Sequence, residues 1–101
     1  MTTDRELLEA AARAAGYQSQ GMEDGLLYLF GVQEGWNPLV DDADSFRLSV
    51  KLGMDVRQLL GINEVHVYMG VGMTWEPFGS DPYAATRRAI VRAAALHGGT
   101  P

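Results

Sequence analysis

The order of hydropathy patterns predicts an α+β domain. It is a small α/β/α layered sandwich, with three helices around a central, mainly antiparallel sheet of three to five strands. Three observations carry this expectation. A helical period with end signals occurs three times, near 4–15, 41–52 and 82–97. Between these segments lie short apolar or alternating runs bounded by glycine, the pattern of strands. The 101 residues are 47% hydrophobic and 21% charged, and no linker, repeat or low-complexity run divides them. One packed domain, 1–101, follows.

The first helix is expected from about Asp4 to Ala15. Thr3 followed three residues later by Glu6 has the spacing of a capping box, in which each side chain satisfies a free backbone N–H. Leu7, Leu8, Ala11, Ala12 and Ala15 give it a small-residue apolar face, and Gly16 a left-handed stop. Leu26-Leu27-Tyr28-Leu29-Phe30 then reads as a buried strand. Tyr17–Gln20 is placed to pair with it across a polar turn at Gly21–Gly25. Residues 32–39 form an ordered loop, because Pro38 biases Asn37 away from helix.

The second helix starts near Asp41 or Asp42, whose carboxylates suit a helix N-terminus, and runs to Leu52 with Gly53 as its stop. Its apolar stripe is expected to hold Ala43, Phe46 and Val50, with Leu48 and Leu52 beside it. Met54–Leu59 fits a strand, and Gly61-Ile62-Asn63 a turn. From Val65 to Trp75 apolar residues alternate with others at period two. One long or bulged strand is expected there, in preference to a hairpin at Gly70-Val71-Gly72. The third helix has the clearest limits, with Asp81 as cap, Pro82 in the first turn and Gly98-Gly99 as stop. Ala85, Ala89, Ile90, Ala93, Ala94 and Leu96 form its apolar face, and Arg87, Arg88 and Arg92 a basic one.

Composition narrows the function. No apolar stretch approaches the ~20 residues that a membrane crossing needs. The absence of cysteine excludes disulfides and thiolate metal sites. Met1–Glu6 lacks a basic, apolar signal region, so a cytoplasmic location is expected. The net charge is −5 and uneven: residues 1–50 carry nine acids against three bases, residues 51–101 four against five. Direct nucleic-acid binding is disfavoured, because neutralising phosphates takes a concentration of Lys and Arg that this chain lacks. A basic protein partner fits its sign better.

Several constellations invite chemistry, and each has a plainer explanation. Asp41, Asp42 and Asp44 are oxygen ligands from one short segment, without the glycine and terminal glutamate of an EF-hand. Helix capping accounts for them better, so no metal is expected. Trp36 is either an aromatic offered to a partner or a plug at the sheet's end, and the plug is favoured. Arg87, Arg88 and Arg92 can clamp a phosphate or carboxylate, or form a solvated face paired with nearby acids. His66 and His97 are the only imidazoles, and no nucleophile context accompanies them. Gly70-Val71-Gly72 lacks the third glycine and following helix of a dinucleotide fingerprint. The chain is therefore expected to be no enzyme and to need no cofactor.

Several stretches resemble a known family. Trp36-Asn37-Pro38-Leu39, Asp41-Asp42-Ala43-Asp44 and Arg47-Leu48-Ser49-Val50-Lys51-Leu52-Gly53 look like the signature of the phage ABA sandwich domain. Tyr83–Ala95 is similar to that family's C-terminal helix, and Asp4–Glu9 to its opening. The resemblance implies a small α/β/α sandwich encoded by a bacteriophage or prophage and working in the host cytoplasm. It implies no reaction and supplies no catalytic residues.

Two functions of different kind are expected from these features. The first is a phage-encoded, non-catalytic interaction protein that binds a host or phage protein through an acidic surface. Inhibition of a host defence system, in the manner of an anti-CRISPR protein, is its specific form. Glu23, Asp24, Glu34, Asp41 and Asp42 are its candidate contacts, with Trp36 as anchor. The alternative is a module that sequesters a small anionic ligand such as a nucleotide signal, using Arg87, Arg88 and Arg92 near Tyr68 or Trp75. A homodimer built on an edge strand is open beside either.

Overall fold

The computed structural model describes residues 2–32 and 34–98. Met1, Gln33 in the expected loop and Gly99 of the expected C-terminal stop lie outside them. Three helices and five strands follow in the order α1 (Asp4–Ala14), β1 (Ser19–Glu23), β2 (Leu26–Leu29), α2 (Asp42–Lys51), β3 (Asp55–Leu59), β4 (Glu64–Met69), β5 (Gly72–Pro77) and α3 (Pro82–His97). This is an α+β fold with antiparallel pairing throughout. The strands divide into a two-stranded sheet, β1-β2, and a three-stranded sheet in the order β3-β4-β5.

The helix limits follow from local hydrogen bonds. Thr3 Oγ1 accepts from the Glu6 N–H at 3.1 Å while Glu6 Oε1 accepts from the Thr3 N–H at 2.9 Å. Asp41 caps α2 through the Ala43 N–H, and Asp81 caps α3 through the N–H groups of Tyr83 and Ala84. Each cap satisfies donors that the helix itself leaves free.

Both hairpins depart from the sequence expectation, for the same reason. β1 continues through Gly21 to Glu23, and the turn is only Asp24-Gly25, at φ 54° and 77°. Two left-handed residues make a tight turn whose twist matches the strands it joins. Val65–Trp75 is likewise a hairpin instead of one long strand. Met69 pairs with Gly72, Gly70 turns at φ 59°, and Val71 stands exposed. Alternation continues through this turn in the sequence but reverses its facing. Val67 lies opposite Thr74, so odd residues of β4 share a face with even residues of β5. Val65, Val67 and Thr74 are buried, whereas Met73 and Trp75 emerge on the opposite, outer face.

α3 packs on the inner face of the β3-β4-β5 sheet, and α1 packs on α3. Their contact is lined with alanine: Ala10, Ala11 and Ala12 on α1, and Ala89, Ala93 and Ala94 on α3, are all buried. Small side chains let the two backbones approach closely. At the end of α3, a Cβ on Gly98 would lie 1.8 Å from the Ala10 carbonyl oxygen. Thr74 Oγ1 donates to the Ala89 carbonyl at 2.7 Å and ties β5 to α3.

α2 is turned from the facing expected of it: the flanking Leu48 is buried as anticipated, but the stripe of Ala43, Phe46 and Val50 is not. Asp44, Ser45, Leu48 and Ser49 are buried, while Phe46 is 67% and Val50 63% exposed. The helix is held by Asp44, whose Oδ2 accepts from the Asn37 N–H at 3.0 Å, and by Leu48 in the core. The stripe through Phe46 and Val50 is left exposed, beside β3 and the first turns of α3.

Candidate functional site

The expected acidic contacts divide into two groups. Asn37 organises their surroundings: its Nδ2 donates to the Gly25 carbonyl at 2.7 Å, its Oδ1 accepts from the Leu39 N–H at 2.9 Å, and its own N–H reaches Asp44. The β1-β2 turn, the loop before α2 and the α2 N-terminus are thereby joined at one residue. Glu23, Asp24 and Glu34 are exposed there. Among the described residues none of the three enters an ion pair. Asp41 is engaged as a helix cap, and Asp42 accepts from Arg87 Nη1 at 2.6 Å.

Trp36 is only 6% exposed. It bridges to Leu27 by backbone hydrogen bonds of 2.8 and 2.9 Å and meets Tyr17 edge-on at 6.0 Å between ring centres. Its ring closes the core under the hairpin and offers almost no surface to a partner.

The three arginines of α3 do not meet at one site: Arg88 and Arg92 border one cleft beside Glu76, and Arg87 borders another. Arg87 pairs with Asp42 and donates to the Leu39 carbonyl, Arg88 pairs with Asp4, and Arg92 pairs with Glu76 and donates to the Trp75 carbonyl. Tyr68 lies on the outer sheet face instead, where the Arg57 guanidinium sits 5.0 Å from its ring centre. Arg57 also pairs with Asp55 at 2.9 Å, and that carboxylate raises the arginine's pKa further. Every arginine except Arg13 pairs with a carboxylate; Arg13 donates to the Gly98 carbonyl. Of the carboxylates outside these arginine pairs, Glu23, Asp24, Glu34 and Asp41 gather at the Asn37 end, while Glu6, Glu64 and Asp81 lie apart from one another along the chain.

His66 faces outward and lies 2.9 Å from Glu64, and His97 caps no described carboxylate. Asp41, Asp42 and Asp44 have separate partners. Among the described residues no cluster of three His, Asp or Glu side chains could hold a metal ion. No described helix is long and apolar enough to cross a membrane.

One feature escaped the sequence reading. A cleft of about 870 Å³ opens between α2, β3 and α3, walled by Phe46, Val50, Val56, Leu60, Tyr83 and Ile90. Ser45 lies at its wall with a buried hydroxyl that has no hydrogen-bond partner among the described residues. Ser45 and Ser49, four apart beside Leu48, were the available signal, because they complete an alternative packing stripe at helical spacing. Leu60, exposed in the turn after β3, was a second.

Comparison of the chain with known protein families, with curated proteins and with solved structures finds no match.

Proposed function

We propose that this chain is a non-catalytic interaction protein whose acidic end docks on a basic surface of a protein partner. The observation that carries this is the distribution of partners. The arginines are occupied within the fold, while Glu23, Asp24 and Glu34 stand exposed around the Asn37 junction without a counter-charge. Such a patch accelerates encounter with a positive surface and disfavours negative ones. The resemblance to the phage ABA sandwich domain supports a phage origin and a partner in the host cytoplasm. A host defence effector with a basic nucleic-acid channel, inhibited in the manner of an anti-CRISPR protein, has the complementary sign.

The test is capture from host lysate by the wild-type chain and by Glu23→Lys/Asp24→Asn/Glu34→Lys. Asparagine is chosen at position 24 because it tolerates the left-handed backbone there. A stoichiometric partner lost from the variant supports the proposal. A partner retained by the folded variant, or none captured by the wild type, removes it.

A further inference from the structure

We propose that the free edge of β3, with the cleft beside it, is an isologous interface for a second copy of this chain. The two edges of the three-stranded sheet differ. On β5, Arg92 Nη1 donates to the Trp75 carbonyl at 3.0 Å, and the strand ends on Pro77, which has no N–H to offer. On β3, no described group outside β4 hydrogen-bonds the backbone of Val56, Arg57 or Gln58. An uncovered edge is a template for another strand.

The charges on β3 select its own copy as that strand. Asp55 and Arg57 flank Val56 on the outer face of the sheet. An antiparallel pairing with its two-fold axis at Val56 sets Asp55 against Arg57 of the second copy, and Arg57 against Asp55, so one register creates two opposite-charge pairs. Moving the axis to Arg57 would place the guanidinium against its equivalent. The sequence Asp-Val-Arg is therefore self-complementary in a single register, as a closed two-fold contact requires.

The apolar surface lies on the matching side. A two-fold axis normal to the sheet keeps both helix layers on one side of the six joined strands. Val56 and Gln58 point to that side, beneath the cleft. Phe46, Val50, Leu60 and Tyr83 are between 63% and 75% exposed around it. An apolar patch of this kind, next to an open edge, marks an interaction surface. Pairing the β3 strands brings the cleft of one copy beside that of the other, where the two α2 helices cover this surface. Glu23, Asp24 and Glu34, on the loops joined at Asn37, take no part in it.

Light scattering and sedimentation of the full chain from micromolar to submillimolar concentration test the assignment. A reversible dimer is expected for the wild type. Arg57→Asp should weaken it about tenfold or more, because both cross-strand pairs turn repulsive. Asp55→Arg/Arg57→Asp should restore it by exchanging the charges. Val50→Lys, at an exposed position, should abolish it with an unchanged circular-dichroism spectrum. A wild type that stays monomeric overturns the proposal, including one whose cleft takes up an apolar dye. A dimer indifferent to Arg57→Asp, or a folded double variant that remains monomeric, overturns it equally.

Discussion

Asn37 bonds through its backbone N–H and both ends of its side-chain amide, and so links three segments. Asn37→Ala keeps the backbone donor to Asp44 but leaves the Gly25 carbonyl and the Leu39 N–H unpaired. Two lost bonds of ordinary strength predict a loss of about 2 kcal/mol, read by urea denaturation. Glu6 makes a prediction in pH. Its hydrogen bonds to the Thr3 backbone and side chain hold its carboxyl below the usual range. A depressed folded pKa stabilises the fold above the ordinary carboxylate pKa of about 4.3, and the contribution is lost as pH falls through the folded value. Glu6→Gln should melt below the wild type at neutral pH, and the gap should close on acidification. A gap that persists in acid would assign the stabilisation to shape alone.

At the scale of elements, α1 and α3 meet through alanines and are locked where Gly98 passes the Ala10 carbonyl. Gly98→Ala should cost about 1–3 kcal/mol by forcing the helix ends apart. Thermal unfolding of the variant checks this, and a melting temperature equal to that of the wild type contradicts it. Within α2 the exposures predict opposite sensitivities. Leu48→Ala should cost about 2–5 kcal/mol, whereas Phe46→Ser should move the stability of dilute protein by no more than about 0.5 kcal/mol. The start and end of every helix were legible in the sequence, because a cap is a bond between residues two or three apart. The facing of α2 was not. Phe46 and Val50 are the more apolar stripe, but Asp44 reaches Asn37 and fixes the helix with Ser45 and Ser49 inward. Similarly, Asp24-Gly25 held the signal of a tight turn, whereas the reversal of facing at Gly70-Val71 belongs to the register of two strands.

Over the whole molecule the charge sorts itself by pairing. The arginines of α3 fold back on Asp42, Asp4 and Glu76, which joins distant parts of the chain and leaves the Asn37 end negative. Association with a basic partner should therefore slow as ionic strength rises, because screening shortens the reach of that patch to about 8 Å at physiological salt. Stopped-flow measurement of the association rate against salt checks this; a flat dependence contradicts it. Composition, end signals and net charge were determined by the sequence alone, because each is a property of residues near one another or of their sum. Which acids the arginines engage, which face of α2 is buried and which sheet edge is open were decided only by the tertiary structure. Those outcomes depend on hydrogen bonds between residues up to 85 positions apart, and no local pattern records such contacts.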